Sequence, residues 1–183
     1  MKFKPTHNRK IAVELDEAEG NIAFPANRLN ASNQPFMRLK NILVPIDFSQ
    51  CSKKALAYAL PYAKEFGASL TLLFVAQGQF TEPGANAAGI GEKEIVEIAR
   101  EKLIALAAAE IPQEIGTQTM VRTGRPFVEI INAACELPAD LIIVSTRGLG
   151  RLPDFYVGST TEALVRYAAC PVLVVRQNER EFI

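Results

Sequence analysis

The chain has 183 residues, 49% of them hydrophobic, and its 20 Lys and Arg are balanced by 20 Asp and Glu. That length suits one domain with something left over, and the even charge excludes a general attraction to nucleic acid or to an anionic membrane surface, so any partner must be recognised locally. Cys51, Cys135 and Cys170 form no C-x-x-C pair and the single histidine, His7, lies near the N-terminus, which disfavours a disulfide framework, a cysteine-rich zinc site and a Ser/His or Cys/His hydrolase.

Residues 1–39 are rich in Asn, Pro, Lys and Glu and read as a mostly irregular N-terminal extension. Within it Ile11 to Leu15 alternates well enough for a small edge strand, and Asn21 to Phe24 is a weaker second candidate. Docking on the domain or a partner and simple disorder are both open for this segment. No apolar run reaches the length of a membrane span, and no apolar segment with a small-residue cleavage site follows the basic start, so the expected location is the cytoplasm.

Residues 40–177 read as one domain, with 178–183 a C-terminal tail. Asn41 to Ile46 has the pattern of a buried strand and ends in Asp47-Phe48-Ser49. From Gln50 to Phe66, Ala55, Leu56, Ala59, Leu60 and Ala63 recur at helical spacing, with Gly67 as the stop and Pro61 as an internal disturbance. Ser69 to Val75 is a second strand. Gln77 to Gly91, with its glycines and Pro83, reads as a mobile loop. The helix from about Glu92 to Glu110 is expected to bury Ile95, Ile98, Leu103 and Leu106 on one side. Thr117 to Val121 is a third strand, Gly124-Arg125-Pro126 a turn, and Phe127, Ile130, Ile131 and Ala134 mark a short helix.

The last part of the domain carries the chemistry. Leu141 to Val144 reads as a strand buried on both faces, followed at once by Ser145-Thr146-Arg147-Gly148. After a loop, Gly158-Ser159-Thr160-Thr161-Glu162 spells a helix start, with Ser159 and Glu162 as a capping box and the helix beginning near Thr160. Pro171 to Val175 returns to the sheet. A strand that feeds small residues into a helix N-terminus directs backbone N–H groups and a positive dipole end at one spot, which suits a phosphate. Alternating strands and helices imply a doubly wound, Rossmann-like α/β fold with its ligand beyond the carboxyl ends of the strands.

The segment from Asn41 to Arg176 resembles the universal stress protein family. The resemblance rests on Leu43-Val44-Pro45-Ile46-Asp47-Phe48-Ser49, on Gly148 followed by nine residues and then Gly158-Ser159, and on Cys170-Pro171-Val172-Leu173-Val174-Val175. It implies an open five-stranded parallel sheet in the order 3-2-1-4-5 with helices on both faces, of the adenine nucleotide alpha hydrolase-like kind. In nucleotide-binding members ATP lies between the ends of the first and fourth strands. Carried over, Pro45 and Asp47 would border the adenine edge and Val75 would pack beside the base. Val144 and Ser145 would border base and ribose, with Arg147, Gly148, Gly158, Ser159 and Thr160 around the phosphates. Mg²⁺ would be held through those phosphates. The resemblance further implies a homodimer paired along Val172 to Val175.

Each of these residues also has a plain structural use. Glycine permits tight turns at Gly148 and Gly158, Ser159 can cap its own helix, Asp47 can close a turn, and surface arginines are commonly just solvated. Two features depart from the family pattern: Ser145 stands where the first glycine belongs, and Pro153-Asp154 occupies a loop where relatives often carry basic residues. A carboxylate there opposes a triphosphate unless Mg²⁺, Arg147 or Arg151 offsets it. Gly148 to Pro153 does not complete a dinucleotide fingerprint, and Gly84 to Gly89 is followed by Ile90 where a Walker loop needs lysine. The expectation is an ATP-binding stress-response module with at most slow hydrolysis and an unidentified regulatory protein partner. The alternative is a dimer of the same fold that binds no nucleotide and acts through protein contacts.

Overall fold

Most strands form here where β-branched residues and leucine run together, and the long first helix where alanine and leucine recur at helical spacing between a start and a stop signal. The structure, a computed structural model, describes residues 2–5, 11–14, 38–77, 91–148 and 157–177. The expectations for Asn21 to Phe24, for the loop interior at 78–90, for Arg151, Pro153 and Asp154, and for the tail at 178–183 lie outside the described residues.

Two units make up the chain, Met1–Ser32 and Asn33–Ile183. In the first, β1 (Lys2–Pro5) pairs antiparallel with β2 (Ile11–Glu14). The alternating segment is the second of these strands. Its partner, four residues ending in proline, carries too little pattern to be read alone.

The second unit runs β3 (Asn41–Pro45), α1 (Gln50–Phe66), β4 (Ser69–Ala76), α2 (Glu92–Glu110), β5 (Thr117–Thr123), α3 (Pro126–Glu136), β6 (Leu141–Ser145), α4 (Ser159–Tyr167) and β7 (Val172–Val175). All five strands are parallel, in the order β5-β4-β3-β6-β7, which is 3-2-1-4-5 counted within this sheet. Side chains alternate between the two faces. Ile42, Val44, Leu70, Leu72 and Ile143 pack with Leu56 of α1 and Leu103 of α2, whereas Leu43, Leu73, Ile142 and Val144 pack with Ile130 of α3 and Leu164 of α4. Each fully buried leucine or isoleucine contributes about 1.5–3 kcal/mol.

Gly67 ends α1 with φ of 61°, a conformation glycine adopts without strain, and its N–H donates to Ala63 O. The helix runs through Pro61 without interruption. In α2 the buried seam is Ala99, Leu103 and Leu106, while Ile95 and Ile98 in the first two turns stay 38% and 39% exposed, so the apolar side read from the sequence is covered only over its later turns.

Candidate functional site

The site begins with a proline. Along β3 the even residues turn their amides and carbonyls to β4, since Lys40 O accepts from Ser69 N–H and Ile46 N–H donates to Leu73 O; Asn41 O, accepting from Asp140 N–H, places the odd residues on the β6 side. Pro45 is odd and has no N–H to give to β6. The β3–β6 register covers only Ile42↔Leu141 and Leu43↔Ile142, whereas β6 and β7 stay paired to Ser145↔Val175. The ladder between the two central strands ends before their carboxyl ends, and a cleft of about 560 Å³ lies there. Here the winding reverses, with α1 leaving β3 to one face and α4 following β6 on the other.

Pro45, Leu73, Val75, Ile130 and Val144 give the cleft apolar walls; Asp47, Ser145, Arg147, Ser159 and Thr160 supply polar groups. All ten residues singled out in the sequence line this one space, Gly148 and Gly158 among them. Ser52, Phe74, Gln77, Pro126, Ile130 and Thr161 line it as well. They were missed because Pro126 and Ile130 read as turn and core, and nothing local marks the others. Leu73 O takes the Ile46 N–H and Ala76 O takes the Gly124 N–H, so the odd residues of β4 face β3. Val75 therefore turns its N–H and C=O to the β3 side, one step past that last bond.

One lip is the loop from β3 to α1. Ser49 caps α1, its hydroxyl accepting from Ser52 N–H at 3.1 Å. Asp47 Oδ1 accepts from Ser49 N–H at 3.0 Å and from Ser49 Oγ–H at 2.6 Å, so one carboxylate oxygen braces the cap. Between them Phe48 has φ of 63°, a left-handed conformation costly for a bulky side chain. Its ring packs on Phe74 with centroids 5.2 Å apart, and Lys102 Nζ lies 5.9 Å over it.

The other lip is formed by the end of β6 and the head of α4. Thr146 O accepts from Gly158 N–H at 2.8 Å, and Ser145 O accepts from the buried Thr161 hydroxyl at 2.8 Å. The helix starts one residue earlier than the capping box predicts: Gly158 is the N-cap, Ser159 is the first helical residue, and among the described residues no side chain caps the helix. Since Glu162 N–H to Gly158 O is the first intrahelical bond, the N–H groups of Ser159, Thr160 and Thr161 precede it at the positive end of the helix. Ser145 has no positive φ, and its hydroxyl donates to Arg147 O at 2.7 Å. Serine in the glycine position is therefore unstrained. Arg147 Nη2 donates to Gln177 Oε1 at 3.0 Å, an oxygen that also lies 3.6 Å from Cys51 Sγ, while Lys54 Nζ donates to Gln177 O at 2.7 Å.

Comparison with known proteins agrees with the fold of the second unit. The model of the universal stress protein family matches residues 38–176. A universal stress protein of Thermus aquaticus is 34% identical over 140 residues, covering 75% of this chain and 98% of the relative. The solved universal stress protein UspA from Lactobacillus plantarum superposes with a TM-score of 0.63 at 29% identity, over 76% of this chain and 99% of that one. A universal stress protein solved in complex with cAMP superposes with a TM-score of 0.56 at 23% identity, over 78% of this chain and 100% of that one, a likeness of fold.

Proposed function

The chain belongs to the universal stress protein family, and from that premise we propose that its cleft binds an adenine nucleotide, ATP with Mg²⁺ carried by the phosphates, as a stress-response module of the cytoplasm. One observation carries the reading: a cleft of about 560 Å³ has apolar walls, the Asp47 carboxylate on one lip and on the other the head of α4, which no side chain among the described residues caps. That volume lies within the range of about 300–1,000 Å³ usual for small-molecule sites. Pro45, Val75 and Val144 suit the faces of a base. The Val75 N–H and C=O, with Asp47, offer a donor and acceptors of the kind that adenine's ring nitrogen and exocyclic amine require. The N–H groups of Ser159 and Thr160, their hydroxyls and Arg147 suit phosphate oxygens.

Among the described residues no three His, Cys, Asp or Glu side chains gather as a metal site, so in this reading Mg²⁺ rests on the phosphates with the Ser159 and Thr160 hydroxyls beside it. Among the described lining residues no general base stands apart from Asp47, which belongs to the base end; binding with at most slow hydrolysis is the activity proposed. Assembly is part of the proposal. β7 is an edge strand whose Val172, Leu173 and Val174 are only partly buried, and a second copy pairing along it would cover that edge; an unidentified regulatory protein partner would read the loaded dimer. The competing reading, a dimer without nucleotide, draws on the same edge.

Native mass spectrometry of the purified protein with ATP and Mg²⁺ tests both. The expected result is a dimer carrying one nucleotide per chain. A dimer that never gains the nucleotide mass would favour the competing reading.

A further inference from the structure

We infer that Gly148 is a specificity-determining residue that acts through Asp47: its missing side chain lets the two lips of the cleft touch, and so fixes the carboxylate that reads the base. A Cβ at Gly148 would overlap Asp47 Oδ2 and stand 3.4 Å from its Cγ, so the carboxylate would have to move. Backbone conformation is not the reason for this glycine, because the positive-φ glycines among the described residues are Gly67 and Gly124. Gly158, the other glycine of the pattern, differs. A Cβ there meets Thr146 O at 3.4 Å, an ordinary contact.

Asp47 cannot simply swing aside. Its Oδ1 accepts both the N–H and the hydroxyl of Ser49, and Ser49 is the cap of α1. Displacing the carboxylate by a methyl group would break those bonds, unseat the cap and disturb Phe48, already held in a left-handed conformation. The carboxylate is thus braced by Ser49 through one oxygen and packed by Gly148 against the other. A residue of the phosphate-side loop thereby sets how the base is read. The inference rests on the adenine reading above, in which Asp47 accepts from the exocyclic amine.

A double-mutant cycle of Gly148→Ala and Asp47→Ala tests it with two readouts. The first is the urea midpoint without ligand; the second is the ratio of the Kd for ITP, which carries an oxygen in place of the amine, to that for ATP. Gly148→Ala is expected to lower the midpoint and to reduce the preference for ATP about tenfold, the share of one charge-assisted hydrogen bond. In the Asp47→Ala background it should do neither. A Gly148→Ala chain that folds only when Asp47→Ala accompanies it also supports the inference. Equal effects of Gly148→Ala in both backgrounds, or equal weakening of ATP and ITP, would overturn it. A parent that binds neither nucleotide overturns the adenine reading, while the ligand-free cycle still decides whether Gly148 acts on Asp47.

Discussion

Ser145 stands where the resemblance implies a glycine, and its surroundings show a serine held without a positive φ. It is the last residue of β6, 6% exposed, with its hydroxyl donating to Arg147 O and its carbonyl accepting from Thr161. Restoring the glycine removes one hydrogen bond and adds backbone freedom without relieving any strain. Ser145→Gly is therefore expected to destabilise the protein by about 1–2 kcal/mol in urea unfolding and to leave ATP affinity no better than the parent's. A more stable, tighter-binding variant would mean that the hydroxyl obstructs the site. Thr161 shows the same economy, since a side chain at the third position of α4 closes the carbonyl that ends β6.

The elements were largely legible because each carries its own pattern. The β-branched runs, the spacing of alanine and leucine in α1, Gly67 as its stop and Pro126 at the start of α3 each state a local preference that the packing agrees with. Less legible was whatever depends on two segments meeting. Nothing near Gly148 announces that Asp47, a hundred residues earlier in the chain, fills the space its side chain would need. Ile95 and Ile98 follow helical spacing yet remain exposed, because periodicity states which side is apolar and not how far the cover extends. The capping box failed by one residue, since Gly158 donates to Thr146 O and takes the N-cap itself.

Between β5 and α3 lies an ion cluster that sequence also could not pair. Arg122 on β5 reaches Glu136 at the end of α3, and Glu129 Oε2 lies 3.5 Å from its Nη1. The hydrogen bond from Arg122 holds Glu136 below the usual glutamate range, and the same bond raises Arg122. A carboxylate whose folded pKa is depressed adds stability above its unfolded pKa and loses it as pH falls through the folded one. The cluster's contribution should therefore fade below about pH 4, the ordinary glutamate range. Urea midpoints measured from pH 6 to pH 3 should fall less steeply for Glu136→Gln than for the parent, and high salt should shrink the difference. Parallel curves would show that the pair adds nothing to stability.

At the scale of the molecule, the second unit opens its cleft where the winding of the sheet reverses and leaves a short apolar strand at one edge. Pro45 links the two levels, since a missing N–H ends the β3–β6 ladder where the cleft begins. No helix among the described residues is long and apolar enough to cross a membrane. In the proposed account the head of α4 holds the phosphates, and this is open to a direct test. Ser159 is exposed and begins the helix, so Ser159→Asp places a negative charge where the helix dipole favours it by about 0.3–1 kcal/mol and where a phosphate would be repelled. Calorimetric titration of ATP with Mg²⁺ into the parent and into Ser159→Asp is the measurement that decides. The account predicts saturable binding by the parent and at least about tenfold weaker binding by a variant of equal or higher stability. Equal affinity for the two proteins, or a parent that takes up no ATP, would contradict it.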